Sequence, residues 1–238
     1  MENIRQYLSE VQHVLAELPT ERICEMVDVL LSANYVASTV YIVGNGGSAA
    51  TASHFACDLA KGTIVNGRPR FRVMALTDNV PLMTAWSNDS CYEDLFVEQL
   101  RNVIRRGDVL VAISGSGNSE NVLRAVELTS QVGGITVGLS GFSGGELATL
   151  VDVPVVVPCG CMAQIEDVHL TLCHLVCAVL RERMQQTEPP RMMMLDTTGV
   201  YTERVPEWMP TARAKGEGDN GRGRLGAGLE QESKPKVN

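Results

Sequence analysis

Two glycine- and serine-rich runs and a scatter of histidines and carboxylates are the residues whose types and spacing suit chemistry. Ser114-Gly115-Ser116-Gly117-Asn118-Ser119 sets three hydroxyls and flexible backbone where a helix is expected to begin. Free backbone N–H groups and the helix dipole favour an anion there, and serine hydroxyls add donors without adding charge. A phosphate is the natural guest. The alternative is that Ser119 only caps the following helix, and the two roles are compatible. Gly44-Asn45-Gly46-Gly47-Ser48 follows the same logic. Neither run is a dinucleotide fingerprint, because Gly44, Gly46 and Gly47 lack its spacing, and neither is a P-loop, because no Gly-Lys-Ser/Thr follows.

His54 and Asp58 are four residues apart and share one helical face. Glu166 and His174 stand roughly 80° apart around a later helix, whereas His169 and His174 stand about 140° apart. The expected cluster is therefore His54, Asp58, Glu166 and His174, with His169 facing elsewhere. Two imidazoles and two carboxylates suit zinc or another divalent transition ion. The other reading makes each of them a satisfied polar residue at a subunit interface. His13, on the first helix, reads as a surface residue. Seven cysteines, an odd number mostly within apolar runs, read as free thiols of a cytoplasmic chain. Cys159-Gly160-Cys161 lacks the usual two-residue metal or redox spacing.

The elements that must position these groups follow from periodicity. Ile4, Leu8, Val11, Val14 and Leu15 predict an opening helix. Thr20 is the expected N-cap of a second, with Ile23, Met26, Val27, Leu30 and Leu31 as its buried face. Strands are expected at 40–43, 72–76, 108–113, 135–140 and 153–157, with helices at 49–61 (closed by Gly62), 120–131, 146–150 and 162–184. Between Leu76 and Pro81 the reading is a polar loop. Five apolar strands alternating with helices predict an α/β, doubly wound parallel sheet covered on both faces. Ligands in such sheets bind at strand carboxyl ends near a topological switch point, where both glycine–serine runs fall.

The chain has 238 residues, 28 acidic and 20 basic, for a net charge of −8. That charge argues against a nucleic-acid partner held through phosphate neutralisation, and an aromatic content of 5% argues against stacking on bases. No uninterrupted apolar stretch reaches about 18 residues, so no membrane partner is expected. Met1 to Arg5 lacks the basic-then-apolar order of a signal peptide. Glu188-Pro189-Pro190 ends the last helix, Arg191 to Pro210 is mixed, and Thr211 to Asn238 is expected to be disordered. The expected division is residues 1–186 as one domain and 187–238 as a C-terminal extension.

On Val43-Gly44-Asn45-Gly46-Gly47-Ser48, His54-Phe55-Ala56 and Ile113-Ser114-Gly115-Ser116-Gly117-Asn118-Ser119, with Ser87-Asn88-Asp89 in support, the chain resembles the sugar isomerase (SIS) domain family. Within that family it is similar to the bacterial phosphoheptose isomerases, which act on sedoheptulose 7-phosphate. The resemblance spans residues 1–185, including the two leading helices and the closing helix with His174. It implies a flavodoxin-like five-stranded sheet and a homotetramer with sites at subunit interfaces. It implies a sugar-phosphate substrate whose phosphate is held by Asn45, Gly46, Gly47, Ser48, Ser114, Ser116 and Ser119, with Asp89 on the sugar. It also implies that His54 and His174 are active-site histidines and zinc ligands, with one Zn2+ per subunit. Three departures stand out. Asp58 occupies the position of the family's basic glutamate, Glu166 that of a glutamine, and Ala163 that of an aspartate near the substrate. Asp58 and Glu166 are thus expected to exchange roles, with Asp58 a ligand and Glu166 the base, or else the true substrate is another ketose phosphate.

Aldose–ketose isomerisation moves a proton between C1 and C2 through an enediol. It needs a base over the carbon, an acid at the carbonyl oxygen and a Lewis acid for the enediolate. Glu166, His174 and Asp58 are the catalytic candidates; His54, Asp58, Glu166 and His174 are the metal candidates. The expected activity is interconversion of sedoheptulose 7-phosphate and D-glycero-D-manno-heptose 7-phosphate. Two rivals are a non-catalytic tetramer of this domain that binds a protein partner, and another sugar-phosphate isomerase or lyase.

Overall fold

The computed structural model describes residues 2–186, 193–195 and 201–203. Two helices, α1 (Glu2–Ala16) and α2 (Thr20–Tyr35), precede a run of strands and helices. That run is β1 (Thr39–Gly44), α3 (Gly47–Cys57), β2 (Arg72–Ala75), α4 (Val80–Asp89), α5 (Val97–Arg101), β3 (Val109–Ile113), α6 (Glu120–Val132), β4 (Ile135–Ser140), α7 (Leu147–Leu150), β5 (Val153–Val156) and α8 (Met162–Gln186). A short antiparallel pair follows, β6 (Met193–Leu195) with β7 (Tyr201–Glu203).

The five central strands are all parallel, in the order β2-β1-β3-β4-β5. This is the expected doubly wound, flavodoxin-like sheet, and its order reverses between β1 and β3. Side-chain alternation along each strand builds two cores. Val40, Ile42, Val109, Val111 and Ile113 face one layer with α1, α2, α3 and α8, whereas Tyr41, Val43, Leu110 and Ala112 face the other, with α5, α6 and α7. The central strands β1, β3 and β4 are buried on both faces, which explains runs too continuously apolar to alternate with polar residues, whereas edge strand β2 is largely exposed.

Four local expectations change. The cap of α2 is Pro19, and Thr20 is already helical; no side chain closes that end. The third helix opens earlier, at Gly47, and its continuation past Cys57 is a single π-turn, Asp58–Gly62. The segment read as a polar loop before Pro81 leads directly into α4. Asn79 Oδ1 accepts from Leu82 N at 3.2 Å, and Pro81 sits in the first turn, where no N–H is needed. Pro81 therefore begins an element there. Helix α5 lay in a stretch for which no element was expected.

Helix α8 is long and apolar enough to cross a membrane by length and composition, yet half of its most apolar window is buried inside the protein. Ile165, Val168, Leu172, Val176 and Leu180 pack in the core, so its apolar character is that of a central core helix. The expected disorder from Thr211 and the break at Pro189-Pro190 lie outside the described residues.

Candidate active site

Both glycine–serine runs emerge at the carboxyl ends of adjacent strands, β1 and β3, on either side of the switch point. Ser114 is 3% exposed and its Oγ donates to Ser119 Oγ at 3.1 Å. Ser119 is the N-cap residue of α6, yet its side chain makes no cap bond. Its hydroxyl is turned into the loop, so simple capping does not account for it. Ser116 Oγ accepts from Asn118 N at 3.2 Å, and Asn118 Oδ1 accepts from Glu146 N at 3.0 Å. Gly117 has φ +70°, and a Cβ there would lie 2.0 Å from Gly144 O. Only glycine lets these two loops cross so closely.

In the first loop, Gly46 adopts φ +54° and α3 starts directly at Gly47 without a side-chain cap. Ser48 lies in the first turn, 6% exposed. The Asn45 and Asn121 amides bond reciprocally at 2.8 and 2.9 Å, and Tyr92 OH donates to Asn45 Oδ1 at 2.8 Å. Neither Asn121 nor Tyr92 was singled out from the sequence. Asn121 reads there as an ordinary first-turn helical residue, and only the fold brings it across to Asn45. Asp89 stands exposed at the end of α4, where its Oδ1 accepts from Asn88 Nδ2 at 2.8 Å.

Helices α3 and α8 lie side by side and run in the same direction. Gly47 meets Glu166 at one level and His54 meets His174 at another. At the lower level three ligand atoms converge. His54 Nε2 and His174 Nε2 are 2.9 Å apart, and Asp58 Oδ2 lies 3.3 Å from the first and 3.5 Å from the second. The two rings meet edge to face, with centroids 4.9 Å apart. Asp58 is the first residue of the π-turn, a kind of local widening often found at functional sites. Four ligands around a tetrahedral zinc at about 2.0–2.2 Å lie about 3.3–3.6 Å from one another; the two Asp58 separations match this, and the two imidazoles would part by about 0.4 Å to admit such an ion.

Of the four expected ligands the structure brings together three. Glu166 stands apart, because sharing an angle around the helix does not remove the rise along it. Eight residues advance about 12 Å. Its carboxylate instead covers Gly47: a Cβ there would lie 2.5 Å from Glu166 Oε2. The carboxylate thus rests at the N-terminal end of α3, where the helix dipole favours negative charge. His169 does face elsewhere, as expected. It is fully buried, its Nε2 lies 3.2 Å from Ser140 O, and burial pulls its pKa down to about 4.

The thiols beneath the cluster are inert. Burial, with the Cys177 and Asp58 charges in support, pushes the Cys173 thiol far up, and burial with Asp58 pushes Cys177 up to about 12. Burial thus favours the neutral thiol in both, which disfavours them as nucleophiles. A cleft of about 370 Å³, lined by Asp58, His174 and Arg181 among others, opens beside the cluster.

The description "SIS domain" matches residues 5–141. A phosphoheptose isomerase from Geotalea daltonii is 35% identical over 187 residues, covering 77% of this chain and 97% of that relative. Phosphoheptose isomerase 2 of Campylobacter jejuni is 40% identical over 143 residues, covering 60% of this chain and 71% of that one. The solved structure of phosphoheptose isomerase GmhA from Neisseria gonorrhoeae superposes with a TM-score of 0.70 at 30% identity, covering 76% of this chain and 98% of that one.

Proposed function

The chain belongs to the SIS domain family and its phosphoheptose isomerases, and from that premise we propose that it interconverts sedoheptulose 7-phosphate and D-glycero-D-manno-heptose 7-phosphate through an enediol. One observation carries the reading. A serine-lined loop pair at the switch point and a His54–Asp58–His174 group are joined by the same helix, seven residues apart from Gly47 to His54. Seven residues of α-helix span roughly 10 Å. An extended seven-carbon sugar phosphate, with C–C bonds of about 1.5 Å, spans roughly 10 Å from C1 to phosphorus. The two ends of such a substrate thus match the two ends of the site.

At the phosphate end, Ser48, Ser114, Ser116 and Ser119, with the backbone of Asn45, Gly46 and Gly47, supply neutral donors at two helix N-termini. Asp89 contacts the sugar hydroxyls. Anchoring the far end fixes the reacting carbons, which lowers the entropic part of the barrier.

At the reacting end, His54, Asp58 and His174 are the residues that would hold a divalent ion, zinc by the chemistry of the donor set. Such an ion, when bound, supplies Lewis-acid polarisation of the carbonyl oxygen. The Asp58 carboxylate is engaged with both imidazoles, which supports a holding role for it. Glu166 is the carboxylate left for proton transfer: it takes the proton from one of C1 and C2 and returns it to the other. About 12 Å of α8 separates it from His174, more than a glutamate side chain spans, so in this reading the Glu166 that reaches carbon beside His174 comes from a neighbouring subunit. One His174 nitrogen cannot both ligate and donate a proton. His174 is therefore a ligand in the metal-bound protein and the donor to the carbonyl oxygen in the metal-free one. Glu166 as a fourth ligand would likewise have to come from a neighbouring subunit.

The reading includes a cytoplasmic homotetramer with sites at subunit interfaces. In support, edge strand β2 has no partner on its outer side among the described residues, and Met74 on it is half exposed beside a hollow of about 750 Å³. Light scattering on the purified protein tests the assembly. Incubation with sedoheptulose 7-phosphate, followed by NMR for the aldose, tests the activity. No aldose from folded, zinc-supplied protein would refute it.

A further inference from the structure

The side chain of Asn45 is already spent inside the protein. Its Oδ1 accepts from Asn121 Nδ2 at 2.9 Å and from Tyr92 OH at 2.8 Å, and its Nδ2 donates to Asn121 Oδ1 at 2.8 Å. An amide so committed has little left to offer a ligand. Asn121 is 2% exposed and lies in the first turn of α6, the helix that the serine loop opens. The reciprocal pair therefore ties the loop after β1 to the helix that carries the loop after β3. It spans the switch point. Being neutral, it adds rigidity without a charge that would compete with phosphate.

Tyr92 is anchored to the same helix by a separate route. It opens the 3-10 turn Tyr92–Asp94. Asp94 accepts from Arg124 Nη1 at 2.8 Å and from Ser90 Oγ at 2.6 Å, and Arg124 on α6 also donates to Glu120 at 2.9 Å. Both partners of Asn45 are thus held against α6. Two bonds between the same pair of amides, one of them buried, fix a separation more tightly than either bond alone.

We infer that Asn121, with Tyr92, is a positioning residue for the substrate phosphate. It acts through Asn45 to set the distance between the two glycine–serine loops. The inference rests on the reading of those loops as the phosphate grip.

The test measures inorganic phosphate binding calorimetrically, with kcat and KM for the sugar phosphate alongside, in full-length wild type, Asn121→Ala, Asn45→Ala, the double variant and Tyr92→Phe. Asn121→Ala is expected to weaken phosphate about tenfold, in line with the cost of small misplacement, and to raise KM more than it lowers kcat. Asn45→Ala should lose a similar factor and the double variant no more than either, because all three remove one shared strut. Tyr92→Phe, at a half-exposed position, should weaken phosphate about twofold to threefold while melting like wild type, and it decides the matter if Asn121→Ala fails to fold. A folded Asn121→Ala with wild-type phosphate affinity overturns the inference. So does an Asn45→Ala loss that exceeds that of Asn121→Ala and multiplies with it, since Asn45 would then touch phosphate itself. Wild type that binds no phosphate overturns the loop reading and the inference with it, and is told apart because every variant is then equally silent.

Discussion

His54 Nε2 and His174 Nε2 face each other at 2.9 Å although 120 residues separate them in the chain. Two ring nitrogens at that distance share a proton, and parting by about 0.4 Å would let them share an ion; Asp58 Oδ2 within 3.5 Å of both supplies the negative charge that favours the ion.

Purified from a zinc-containing medium, the untagged protein should hold about one zinc per chain. His54→Ala and His174→Ala should each lower retention by at least tenfold, as expected when a tetrahedral site loses a protein ligand. Elemental analysis after dialysis against a weak chelator reads this out. Stoichiometric zinc in both variants would place the ion elsewhere.

Glu166→Gln should abolish turnover and leave inorganic phosphate binding unchanged, because the amide keeps the shape and loses the base. Solvent-deuterium incorporation at C1 or C2 of the substrate reports the proton transfer directly. Wild-type exchange in Glu166→Gln, together with loss in Asp58→Asn, reverses the two roles and makes Asp58 the base.

Stability should fall between pH 6.5 and about 4 in a manner that depends on His169. Burial disfavours the charged ring and holds its pKa at about 4 in the folded chain, below the ordinary 6.5. Above pH 6.5 the ring is neutral in both states and stability is full. As pH drops, the unfolded chain takes up a proton that the native chain refuses, so stability declines until about pH 4, by on the order of 3 kcal/mol. Urea unfolding at pH 7 and pH 4.5 measures the decline. His169→Gln, which retains a neutral donor for Ser140, should lose distinctly less over that interval; an equal loss would remove His169 as the cause.

Removing residues 188–238 should leave a folded enzyme within about twofold of full activity, because among the described residues two apolar cores are already complete from Val14 to Met184. Arg68 Nε donates to Met184 O at 2.7 Å, so the end of α8 is tied to the body of the domain without the extension. Insolubility of the shortened chain would assign a structural part to the stretch Arg191–Pro210.

The order of strands and helices was legible along the chain because it is local. β-Branched runs such as Val40-Tyr41-Ile42-Val43 and Asp108–Ile113 carry their own periodicity, and glycine–serine runs mark where strands give way to helices. The family likeness rests on those same runs. Even the pairing of His54 with Asp58 needs only the helical repeat. What a helical wheel cannot supply is translation along the axis and the register of one helix against another. Those are set by how α3 and α8 pack over the sheet, and they bring His174 to His54 while leaving Glu166 at Gly47. The Asn45–Asn121 pair is likewise invisible in sequence, since Asn121 carries no pattern. It exists because the parallel register sets Gly44 beside Ile113, which places the two loops next to each other. Side-chain types and local spacing declare which groups are available; long-range packing alone decides which of them meet, because contact depends on distances that no repeat in the chain encodes.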